Sequence, residues 1–228
     1  MKKYRAFFVL FLILIFPILI YVFIKAFGTQ NYRPIETISE KIPNPDGSLD
    51  SVFKAVGDFS FASHRGDTLR MDSLKGKIWL ANVFHGNCSD ACDIENAYIK
   101  QLLTKDFPTD PDIRIISFSV DPANDSVPVL KAYAEKLEAD RRWYFLTGNP
   151  AVLSKFLIEE LKFLPTDPKA LSEKGLTDRT FRLVDWDGHL RGSIYHSAAE
   201  NEMVTMAQHM VFLQKELADM RSGAHSPQ

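Results

Sequence analysis

The sequence predicts an α/β layer fold, a mixed sheet flanked by helices, with a transmembrane helix at its N-terminus. Three patterns carry that expectation. Residues 7–24 form an apolar run without a charged residue. Two nearly continuous apolar stretches, KIWLANVF at 77–84 and DIRIISFSV at 112–120, have the look of buried central strands, and segments of helical periodicity alternate with them. A strand pair and an amphipathic helix then close the chain. The 228 residues are 46% hydrophobic and 12% aromatic, enough for one domain with appendages and incompatible with global disorder. A net charge of −2 supplies no basic face, so no nucleic-acid partner is expected.

At about 1.5 Å per residue the first run spans roughly 27 Å, close to the bilayer core. Pro17 within it is tolerable in a membrane helix. Lys2, Lys3 and Arg5 precede the run and favour an N-terminus inside. The expectation is a single-pass membrane anchor over 1–27 with an extracytoplasmic C-terminal domain, periplasmic in a bacterium. A cleaved signal peptide would carry a shorter apolar run and a small-residue cleavage site, for which IKAFGTQ is a poor match. Residues 28–52, with Pro34, Pro43, Pro45 and Gly47, read as an extended linker, or in part as an edge strand packed on the domain.

The folded domain is assigned to 53–222. DFSFAS and TLRMDSL around the turn HRGD form a hairpin-like entry. Residues 77–84 are the first core strand, and a helix follows from Cys88 to Leu103 with Ile94, Ala97, Tyr98 and Leu102 on one side. Residues 112–120 are a strand, and 126–137 a helix with Ser126 as N-cap. RWYFLTG at 142–148 is a short strand, and the next helix has Pro150 at its first position. Residues 162–178 are irregular. Residues 179–197 are two strands around Asp187-Gly188. In the closing helix Met203, Met206 and Met210 recur at helical spacing, which fits a buried face better than a methionine metal relay. Residues 223–228 are a flexible tail.

The chain has two cysteines, Cys88 and Cys92. They lie one helical turn apart, so both sulfurs can share a face. Soft thiolates select Cu(I). The same spacing allows a disulfide, whose Cα atoms must lie about 4.4–6.8 Å apart. The helix start favours thiolate. A purely structural staple is the weaker reading, because so short a loop removes little chain entropy. His85 is the histidine nearest in sequence and a candidate metal ligand. His64, His189, His196, His209 and His225 are weaker candidates. Asp90 and Asp93 suit the helix dipole, and Cu(I) would not choose carboxylates.

A cysteine pair directly after the first core strand, at a helix start, is where thioredoxin-like folds carry their chemistry. The chain resembles the SCO/SenC proteins, membrane-anchored thioredoxin-fold proteins that help assemble the copper site of cytochrome c oxidase. GKIWLANVFHGNCSDAC is similar to the family's Gly-Lys-strand-Cys-x3-Cys segment. SFSVDPANDSVPVLKAYAEKL carries its SVDP motif at Ser119 to Pro122, and WYFLTG matches a further segment. The resemblance runs from about residue 56 to 220. It implies a thioredoxin-like sheet, copper as cargo at Cys88 and Cys92, and a cytochrome c oxidase copper-site subunit as partner.

Two departures stand out. The family's proline after the second cysteine is Asp93 here. Its third copper ligand, a histidine in an Asp-His-Thr/Ser motif, falls on Asp178-Arg179-Thr180, so Arg179 replaces it. A guanidinium stays protonated and cannot ligate copper; beside two thiols it would favour thiolate and the reduced form. Arg179 turned to solvent or paired with Asp178 is the plainer alternative. Two other functions therefore stay open. One is an extracytoplasmic thiol–disulfide oxidoreductase acting on another thiol protein without metal transfer, although GLTDRTF lacks the cis-proline position of thioredoxin-type reductases. The other is a redox-sensing binding module.

Overall fold

The structure is a computed structural model. It describes residues 11, 13–27, 35–38, 40–43, 49–52, 54–86, 90–163 and 179–223. Cys88, Asp178, His225 and the front of the apolar run lie outside these residues.

Two compact units divide the chain, residues 1–34 and residues 35–228. In the first, helix α1 (Phe16–Phe27) continues the apolar run. Its described side chains are exposed on all sides, among them Ile18, Tyr21 and Phe23. Among the described residues, no helix is long and apolar enough to cross a membrane.

The second unit holds a small hairpin and a seven-stranded mixed sheet. The hairpin pairs β1 (Glu40–Pro43) with β2 (Leu49–Val52). The sheet contains β3 (Ser60–Ser63), β4 (Thr68–Arg70), β5 (Ile78–Phe84), β6 (Ile113–Ser119), β7 (Trp143–Thr147), β8 (Thr180–Val184) and β9 (Leu190–His196), in the order β4-β3-β7-β6-β5-β8-β9. The β5–β6 and β6–β7 pairs are parallel; β8 runs antiparallel to β5 and β9 to β8. Helices α2 (Asp90–Gln101), α3 (Val127–Lys136), α4 (Pro150–Glu159) and α5 (Glu200–Arg221) flank it. Part of the segment read as a linker packs on the sheet. Thr37 bridges Arg191 on β9, and Gly192 N–H donates to the Glu36 carbonyl at 2.7 Å.

Every residue of β5 is buried, as a central strand covered on both faces requires. Its period of two sorts the side chains. Ile78, Leu80 and Phe84 join Ile99, Leu130, Met206 and Met210 under α2, α3 and α5. Trp79, Ala81 and Val83 join Phe59, Phe61, Leu153 and Phe156 under α4. The methionines of α5 are core, with Met206 and Met210 fully buried. Asn149 caps α4 by accepting from the Ala151 and Val152 N–H groups, and Pro150 follows at the position that needs no donor. Ser126 occupies the α3 cap position, but its side chain makes no capping bond.

The helix expected from Cys88 to Leu103 is α2, continued by a π-helical turn at Leu102–Asp106. Arg142, 4% exposed, closes that end. Its guanidinium donates to the carbonyls of Leu103 at 2.7 Å, Asp110 at 3.2 Å and Phe107, and to the Asp140 carboxylate at 2.9 Å. Carbonyls that a helix end leaves without an internal partner thereby find one.

Candidate functional site

Strand β5 ends at Phe84 and delivers the chain to His85 and Gly86, and α2 begins at Asp90. Cys92 lies in the first turns of α2, 2% exposed, with its sulfur in a disulfide. Cys88, the other cysteine of the sequence, is outside the described residues. His85 is half-buried on the connecting loop, and Asp93 is exposed.

The segment after β6 brackets this loop. Val120 N–H donates to the Phe84 carbonyl at 2.9 Å, continuing the β5–β6 ladder by one bond. Asp125, 2% exposed, then accepts the Gly86 N–H at 2.9 Å through Oδ1 and at 3.1 Å through Oδ2. Ser119 Oγ–H donates to Asp125 Oδ2 at 2.5 Å. Asp125 escapes sequence reading. In PANDS it has the composition of any polar loop, and no local pattern marks it as buried.

Helix α2 carries two further buried polar groups, Glu95 and Asn96. Asn96 donates to the Tyr133 hydroxyl at 2.9 Å. Burial raises the Tyr133 pKa, partly opposed by the Asn96 bond. Glu95 accepts from Ser197 Oγ–H at 3.0 Å, just beyond β9. Ser197 also donates its backbone N–H to the Arg179 carbonyl at 2.6 Å. Ser197 therefore bonds both the cysteine helix and the Arg179 backbone.

Arg179 immediately precedes β8. The pairing of Asn82 with Phe181, continued by the same register, sets Arg179 opposite Phe84, at the sheet end from which the cysteine loop leaves. Its φ of 41° is left-handed, a conformation in which His, Asn and Asp are enriched among non-glycine residues. Its side chain is exposed, and its proposed neighbour Asp178 is outside the described residues.

The remaining histidines have other engagements. His64 is buried, with Nδ1 accepting the Phe145 N–H at 3.2 Å. His209 Nδ1 bonds the Tyr195 hydroxyl at 2.6 Å. His189 lies 3.7 Å from Asp185. His196 pairs with Thr180 across β8–β9 and bonds Glu202 through Nδ1 at 2.9 Å. Among the described residues, no group of three or more His, Cys, Asp and Glu side chains could hold a metal ion.

The SCO1/SenC family description matches residues 49–211. The chain is 34% identical to the SCO1 protein homolog of Bacillus subtilis over 142 residues, 61% of this chain and 72% of that protein. A SCO1/SenC family lipoprotein from Bacillus anthracis superposes with a TM-score of 0.61 at 27% identity, over 70% of this chain and 95% of that one. BsSco, described as a Sco family cytochrome c oxidase assembly protein with a disulfide switch, gives 0.57 at 26% identity, over 73% and 96%. Copper-bound ScoI of Bradyrhizobium japonicum gives 0.52 at 22% identity, over 68% and 99%, a likeness of fold. The mixed sheet, its helices and the cysteine helix after β5 are those of a thioredoxin-like Sco domain, and the chain belongs to the SCO1/SenC family.

Proposed function

We propose that this chain is a membrane-anchored Sco protein that uses Cys88 and Cys92 to carry Cu(I), or to supply electrons, to the copper-site subunit of cytochrome c oxidase during its assembly. The observation that carries the reading is Cys92, buried in the first turns of the helix after β5 with its sulfur in a disulfide. Cys88 supplies the second sulfur, four residues earlier in the sequence. In the reduced state the two thiols release two protons and hold Cu(I) between two thiolates, a low-coordinate site of soft donors. In the redox role, the dithiol passes two electrons and two protons to a partner disulfide, which becomes two thiols. A Cys88–Cys92 disulfide remains.

Arg179 supplies no copper lone pair. Two thiolates with Cu(I) carry a net charge of −1, which a nearby guanidinium offsets. The copper site would then be two-coordinate, or completed by His85 or by a ligand of the partner. Arg179 is also the observation that favours the second reading, a thiol–disulfide oxidoreductase that transfers no metal. Cu(I) uptake separates the two. The first reading expects uptake by the reduced chain and none by the oxidised chain; disulfide turnover without copper uptake would favour the second.

The anchor rests on the uncharged run of residues 7–24, an all-apolar surface that suits lipid. The chain should stay with membranes through alkaline carbonate washing and keep its N-terminal residues. A mature protein starting near residue 28 would refute the anchor.

A further inference from the structure

We infer that Asp125 is the positioning residue of the cysteine loop, fixing Gly86 and so the start of the chain that runs to Cys88. The inference rests on the redox and copper role proposed above.

Asp125 is itself held. Its N–H donates to the Asp121 carbonyl at 2.9 Å, as does the Asn124 N–H at 3.0 Å, and the Asp121 N–H donates to Ser119 Oγ at 3.1 Å. Ser119 Oγ–H in turn donates to Asp125 Oδ2 at 2.5 Å. The carboxylate therefore cannot follow Gly86 if the loop moves. Gly86 presents its N–H to both carboxylate oxygens, and it can do so because it has no side chain. A Cβ there would stand 2.5 Å from Asp125 Oδ1 and 3.3 Å from Val129 Cγ1. Burying a carboxylate is costly unless donors meet it. Here the donors are a hydroxyl on its own side and a backbone amide on the cysteine loop. The charge is thus spent on tying one loop to another. The sulfurs must rearrange between dithiol, disulfide and copper-bound forms. A fixed Gly86 sets the geometry from which each form is built, and so biases the equilibrium between them.

The test equilibrates the full chain in detergent with glutathione. Chain dithiol and one glutathione disulfide give chain disulfide and two glutathione thiols, with two electrons and two protons passing to glutathione. Asp125→Ala and Gly86→Ala should each shift this equilibrium at least tenfold, about 30 mV for a two-electron couple. Asp125→Asn keeps an oxygen for the Gly86 N–H and should shift it less. Gly86→Ala placed on Asp125→Ala should add little, because the oxygen it would strike is gone and only the 3.3 Å approach to Val129 Cγ1 remains. If Asp125 serves the fold alone, the variants lose thermal stability while the equilibrium measured below unfolding stays at the parent value, and the inference is overturned. Additive shifts in the double variant also overturn it. Should Asp125→Ala not fold, Gly86→Ala against Asp125→Asn decides: a large shift beside a small one supports the inference, and equal or absent shifts refute it. A parent chain that never exchanges with glutathione defeats the functional reading and this inference with it. A normal parent with unchanged variants defeats this inference alone.

Discussion

Arg142→Met removes the guanidinium that closes the end of the cysteine helix while keeping an apolar stem of similar reach. The parent side chain is 4% exposed, so its charge is met almost entirely by protein. The acceptors are the carbonyls of Leu103, Phe107 and Asp110, with the Asp140 carboxylate beside them. Asp140 is itself one-third exposed and recovers water when the arginine goes. The buried carbonyls do not recover it as easily. Each bond to a charged donor is worth about 1.5–3 kcal/mol, but the bonds share one donor and do not add. Removing one side of a buried charged network costs about 3–5 kcal/mol. For a domain of this size that corresponds to a fall in Tm of roughly 6–20 °C. Denaturant melts of parent and variant, fitted with a common m-value, read the cost directly. Asp140→Asn is the control, and its cost should stay below about 1 kcal/mol because that side of the pair is solvated. A loss under about 1 kcal/mol for Arg142→Met would refute the reasoning. It would mean that water replaces the guanidinium and that the end of the cysteine helix does not depend on it.

Arg179→His supplies an imidazole at the position to which the resemblance assigns the family's histidine, in a left-handed conformation that histidine tolerates. Competition against a Cu(I) chelator should show affinity raised by about tenfold or more, the scale on which even outer-sphere partners move metal binding. Unchanged affinity would place residue 179 away from the copper. Mild acid should weaken the fold through two buried or half-buried histidines. Burial, then Arg65, holds His64 below the usual histidine pKa of 6.5, and burial, then Arg191, does the same for His209. Both bind protons more readily unfolded. Their contribution is therefore complete above about pH 6.5 and is lost as pH falls below it toward the depressed folded values. Denaturation midpoints at pH 7.5 and 5.5 should differ in that direction, and replacing both histidines should shrink the difference; equal midpoints in the parent would contradict the assignment.

The central layer was legible because its strands are buried on both faces. An uninterrupted apolar run can then stand for β5, and the next one for β6. The hairpin turn at Asp187-Gly188 was legible from glycine chemistry, and Gly188 indeed has a φ of 88°. The start of α4 was legible from Asn149 and Pro150. What escaped depends on partners distant in sequence. Asp125 and Glu95 look like surface carboxylates until the fold brings Gly86 to one and Ser197 to the other. Arg142 looks like half of an exposed Arg-Arg pair until β7 carries it under the end of α2. That part of residues 28–52 packs as an edge strand was one of two readings, and its register on β9 could not be chosen because an edge strand selects backbone groups, which every sequence has. At the site, the position of Cys92 after the first core strand could be read directly. The placement of Arg179 opposite Phe84 needed the β5–β8 register.

Anaerobic titration of the chain with Cu(I), against a chelator of known affinity, tests the central claim most directly. It should be run on the dithiol form, on the disulfide form and on Cys92→Ser. The account predicts one Cu(I) held per reduced chain, none by the oxidised chain, and a loss of tight binding in the variant. Equal uptake by the oxidised and reduced forms, or retention by Cys92→Ser, would show that copper sits elsewhere. No uptake by the reduced chain would contradict the copper role and leave only the thiol–disulfide reading.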